Sequence, residues 1–86
     1  MLNFEEQIKL AKSLNIWNCD ISQLKIIDLT DKGLNAIYVY EQTKGGKQII
    51  VGEDGKILGF SSALSLDKVI YEIKHNNLWD KAKNLD

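Results

Sequence analysis

Cys19 and His75 are the only thiol and the only imidazole in this chain. A cysteine activated by a neighbouring histidine is a good nucleophile, so this pair would be the route to a small hydrolase-like enzyme. The two lie far apart in sequence, and no strand-turn-helix elbow frames Cys19. A half-buried structural thiol is the plainer reading, because free cysteine behaves as a small hydrophobe. A solvated histidine at a helix end is equally plain, because its protonated form suits the helix C-terminus. One histidine and one cysteine without clustered carboxylates do not make a zinc set. Glu53-Asp54-Gly55-Lys56 lacks the repeated acidic spacing and closing glutamate of an EF-hand loop. Asp28 and Asp31 flank a strand end, and Glu5 and Glu6 open a helix, so each pair has a local reason to exist. These residues predict no catalytic group, no metal and no cofactor.

The second chemical candidate is Lys44-Gly45-Gly46-Lys47. A P-loop needs a longer glycine-rich run opening a helix, with Ser or Thr after the lysine. Here a strand follows, so the segment is a basic hairpin tip. Lys44 and Lys47 could touch a phosphate or an acidic partner, or simply discourage pairing at a sheet edge. All eleven basic residues are lysines and the net charge is −1. Without arginine the chain lacks the planar fork that reads phosphates and guanine edges. A nucleic-acid partner is therefore not expected.

These residues are positioned by a β-meander from Leu34 to Phe60. Asp54-Gly55 is a preferred pair for a two-residue type I′ loop. That loop would place Glu53 opposite Lys56, Val51 opposite Leu58 and Ile49 opposite Phe60. At the earlier turn a three-residue loop would pair Val39 with Val51 and Tyr40 with Ile50. A two-residue loop there would set Lys44 against Lys47. Side chains alternate across a strand. One face then carries Ile37, Val39, Ile49, Val51, Leu58 and Phe60, and is the expected core. The other carries Tyr38, Tyr40, Ile50 and Ile57, with Gly52 and Gly59 between them. Leu24 to Thr30 reads as a further strand.

Helices flank the meander. Asn3 and Glu6 form a box-like start to a helix from Phe4 to about Leu14. Phe4, Ile8, Ala11 and Leu14 make its apolar stripe, with Leu10 and Trp17 beside it. Ser62 or Ser65 caps a second helix whose buried stripe is Leu66, Val69, Ile70 and Ile73. Lys68 and Glu72 pair on its outside. Asn76-Asn77 ends it. Leu78, Trp79, Ala82 and Leu85 suggest a short last turn. The expectation is one α+β domain over residues 1–86. It has an N-terminal helix, a three- to four-stranded antiparallel meander and a C-terminal helix, with both helices packed on one face of the sheet.

At 86 residues, 44% hydrophobic and 27% charged, the chain has ordinary globular composition. One cysteine makes no internal disulfide. No apolar run approaches a membrane span, and Met1 to Glu6 show no signal-peptide pattern. The absence of proline and the wealth of Ile, Lys and Asn suggest an AT-rich, bacterial coding sequence and a cytoplasmic protein.

The helix Glu5-Glu6-Gln7-Ile8-Lys9-Leu10-Ala11, followed by Tyr38-Val39-Tyr40-Glu41 and Ile50-Val51-Gly52-Glu53-Asp54-Gly55-Lys56-Ile57-Leu58, resembles PepSY-type domains over roughly residues 4–60. The chain departs from them in showing no export signal and in adding a helix after Ser65. The resemblance implies a binding role, such as restraining a protease or regulating outside the cytoplasm, and no site residue. The Tyr38, Tyr40, Ile50, Ile57 face supports the same reading, since tyrosine suits interaction surfaces and apolar patches usually meet a partner. Four readings of that face stay open: a protein partner, a second copy in a homodimer, the chain's own Leu78-Trp79 segment folded over it, or tyrosines that simply cover Gly52 and Gly59. The expected function is a non-enzymatic interaction or regulatory module, acting through this face or an open sheet edge.

Overall fold

The computed structural model describes residues 1–43, 45–61 and 63–84. Helix α1 (Phe4–Ser13) leads through a 3₁₀ turn at Ile21–Gln23 into β1 (Lys25–Asp28). Strands β2 (Ala36–Tyr40), β3 (Gln48–Gly52) and β4 (Lys56–Gly59) follow, then helix α2 (Leu66–His75). Another 3₁₀ turn, Thr30–Lys32, lies between β1 and β2, and a third 3₁₀ segment, Leu78–Lys81, leads to a short β5 (Lys83–Asn84). The strands lie in sequence order, β1-β2-β3-β4-β5, each antiparallel to the next. The expected α+β class and element order are present, and β5 adds an outer strand.

Local chemistry starts and stops the helices as read. Asn3 Oδ1 accepts the Glu6 N–H at 2.8 Å, and Glu6 Oε1 accepts the Asn3 N–H at 3.0 Å, a complete capping box. Ser65 Oγ accepts the Lys68 N–H at 3.2 Å and starts α2. Ser62, the alternative cap, lies outside the described residues, as does Leu85. Asn77 adopts φ +56° just beyond α2, the left-handed conformation asparagine tolerates.

The β3–β4 turn corrects the first expected register. Val51 pairs with Ile57, Ile50 with Leu58 and Ile49 with Gly59. The loop has three residues, Glu53-Asp54-Gly55, with Gly55 left-handed at φ +81°. The Gly55 N–H reaches Gly52 O at 3.1 Å, and Asp54 Oδ1 accepts the Lys56 N–H at 2.9 Å. The aspartate side chain thus closes the loop with one residue more than a type I′ turn would use. A one-residue slip turns every side chain of the strand over. Ile57 therefore joins Ile37, Val39, Ile49 and Val51 on the first face, and Leu58 joins Tyr38 and Ile50 on the second.

The β2–β3 register also differs, with Val39 opposite Ile49 and Tyr40 opposite Gln48. This shift is two residues, so both strands keep their faces. The longer loop closes where the Glu41 N–H donates to Lys47 O at 3.0 Å.

Both faces of the sheet are apolar, and each receives its own cover. The two helices do not share a face, contrary to the sequence expectation. On the first face, Ala11 of α1 packs with Leu24, Ile37, Val39, Ile49, Val51 and Ile57, with Ile8, Leu10, Leu14 and Trp17 around them. On the second, Val69 and Ile70 of α2 pack with Leu29, Ala36, Tyr38, Ile50 and Leu58, and Phe60, Leu78 and Trp79 complete the cluster. Phe60, expected beside Ile49, belongs to this second layer.

Candidate functional site

The Tyr/Ile patch read from the sequence is divided by the fold. Ile50 is fully buried and Tyr38 is 9% exposed, both beneath α2 and the Leu78–Lys81 segment. Ile57 is buried on the opposite face, so it is not part of the patch. Tyr40 stays half-buried. Its ring stacks on Tyr38 with centroids 4.8 Å apart, and Tyr38 stacks on Phe60 at 5.9 Å. The Tyr38 hydroxyl donates to Gln48 Oε1 at 2.6 Å, and Gln48 Nε2 donates to Ser61 O at 2.8 Å. Burial holds the Tyr38 hydroxyl above its ordinary pKa, and the adjacent Tyr40 adds to the effect. Most of the patch is therefore core, and Leu78-Trp79 form part of its cover.

What remains open on this side is its margin at β1. Lys25 stands opposite Tyr40 and Ile27 opposite Tyr38, so both continue the second face outward. Ile27 is 40% exposed. Lys25 and Asp28 are exposed too. Among the described residues β1 pairs only with β2, which leaves its other edge free. The edge is short and begins with a lysine, two features that limit indiscriminate pairing.

The basic tip is organised by a residue the sequence reading did not single out. Glu41 is 5% exposed, and its carboxylate accepts three backbone N–H groups. Oε1 accepts from Lys47 at 2.7 Å, while Oε2 accepts from Asn18 at 2.6 Å and Cys19 at 2.8 Å. The Lys47 bond is the main reason the carboxyl titrates below its ordinary value; burial opposes it, and the Asn18 and Cys19 bonds add to it. The available signal was an acid directly after an apolar strand, a poor place for a carboxylate unless it has donors. Lys47 is exposed. Lys44 lies outside the described residues.

Cys19 and His75 are held on different sides of the sheet. Cys19 packs at the margin of the first-face cluster. Burial raises its thiol pKa, and a hydrogen bond to Glu41 raises it further. That is the reverse of nucleophile activation. His75 sits at the end of α2, its ring 4.5 Å from Tyr71. Among the described residues, no three His, Cys, Asp or Glu side chains are grouped to hold a metal ion. No helix among them is long and apolar enough to cross a membrane.

No family model, curated protein or solved structure matches this chain. The resemblance to PepSY-type domains gains no support from these comparisons.

Proposed function

We propose that this chain is a non-enzymatic protein-interaction module that holds an extended segment of a partner protein along the free edge of β1, and so inhibits, neutralises or regulates that partner. The observation that carries this reading is the exposed Ile27 on an outer strand with one neighbour. An outer strand offers a row of backbone donors and acceptors, and alternating side chains supply the selectivity. Here Ile27 would contribute apolar contact, the half-buried Tyr40 a ring with a polar tip, and Lys25 a charge. The reading keeps the tyrosine face as a binding element but moves its centre from the covered Tyr38 and Ile50 to the Tyr40 margin.

The test is affinity capture from the native lysate with the wild type and with Ile27→Lys/Tyr40→Ser. Both proteins are first shown to be folded by circular dichroism. A protein retained by the wild type and lost by the variant supports the reading. Equal retention removes it. A concentration-dependent mass that Ile27→Lys abolishes would assign the edge to a second copy of the chain instead.

A further inference from the structure

A cleft of about 360 Å³ opens on the second face of the sheet. Ala36, Ile50 and Gly52 line it from the sheet, Ile73 from α2, and Trp79 from the segment after α2. That size falls within the range of small-molecule sites. Trp79 is fixed in place from two directions. Its Nε1–H donates to Asp54 Oδ2 at 2.9 Å. Its ring occupies the space where a Cβ on residue 52 would stand, so it lies against Gly52 because that residue has no side chain.

The charged side chains lining the cleft, Glu53 and Asp54, are both acidic, and Met1, which carries the terminal amine, lines it as well. Burial works against the Asp54 charge, but bonds from Trp79 and Lys56 overcome it and keep the carboxyl below its ordinary pKa. Lys56 acts on Asp54, and Lys74 Nζ approaches Gly33 nearby, yet neither lysine lines the cleft. Apolar walls, a fixed indole and two carboxylates at the mouth are complementary to an apolar body carrying a cation. We propose that this cleft binds a small organic amine, its apolar body among Leu34, Ile73 and Trp79 and its ammonium at Glu53 and Asp54.

The test is an NMR titration of the isotope-labelled chain with phenethylamine, phenylethanol and phenylacetate, which share a ring and differ in the charge of the head. Shifts should concentrate at the amides of Ala36, Ile50 and Gly52 and at the Trp79 indole N–H. The amine should bind about two- to fivefold tighter than the alcohol, the scale of a partly exposed ion pair, with the acid weakest. Asp54→Asn keeps an acceptor for Lys56 and should erase the amine's advantage. Glu53→Gln should reduce it, and serves where the first variant is unstable. No shifts at these residues, or an alcohol or acid binding as tightly as the amine, would overturn the proposal.

Discussion

Glu41 accepts the backbone N–H of Cys19 at 2.8 Å across twenty-two residues of sequence. The same carboxylate takes the Lys47 N–H at 2.7 Å, so one side chain ties the turn after α1 to the loop between β2 and β3. Its folded-state pKa lies below the ordinary glutamate value of 4.5, so the sign of the pH effect follows. Its stabilisation is fully present above that value and is lost as pH falls through the lower folded value. Urea midpoints measured down an acid series should fall for the wild type and fall less for Glu41→Gln. Equal slopes would mean that Glu41 does not couple to folding.

The Cys19 thiol offers a second readout of this contact. Burial and the Glu41 carboxylate both hold its proton on. Thiol-specific reagents should therefore react slowly with the native protein at neutral pH, and faster with Glu41→Gln, since the thiolate is the reacting form. A rate unchanged by the substitution would separate the thiol from Glu41.

Gly52→Ala should destabilise the protein by about 1–3 kcal/mol, the usual cost of forcing extra atoms into a packed site. The added methyl would overlap the Trp79 ring and crowd Asp54 Oδ1. Thermal melts should show the loss, and Trp79→Ala should relieve part of it. Additive effects of the two substitutions would count against the contact.

The β3–β4 register makes a sharper prediction. Ile50→Ala and Leu58→Ala should each cost roughly 2–5 kcal/mol as buried deletions. Ile50 and Leu58 are cross-strand partners, so the double variant should be non-additive by ~0.5 kcal/mol or more. Ile50→Ala with Ile57→Ala should come closer to additivity, because those two residues serve opposite faces. The reverse pattern would restore the two-residue turn.

Removing the Ser65 hydroxyl should cost about 1 kcal/mol, since it satisfies the Lys68 N–H at the start of α2. Ser65→Ala and Ser65→Thr compared by chemical denaturation check this, with Thr expected to retain most of the stability.

Features set by near neighbours were legible in the chain itself. The Asn3–Glu6 box, the Ser65 cap, the end of α2 near Asn76-Asn77, the Lys68–Glu72 pair and the strands around both hairpins all depend on residues a few positions apart. Tertiary structure decided what depended on counting and on distant partners. Asp54-Gly55 serves a two-residue turn and a three-residue loop alike. With a side-chain period of two, that single residue determined whether Leu58 and Phe60 faced α1 or α2. They face α2, which packs over the tyrosine patch and makes most of it core, while α1 packs on the other side of the sheet. Glu41 was illegible for a related reason: nothing local indicates that the N–H groups of Asn18 and Cys19 will arrive from earlier in the chain to make a buried carboxylate tolerable.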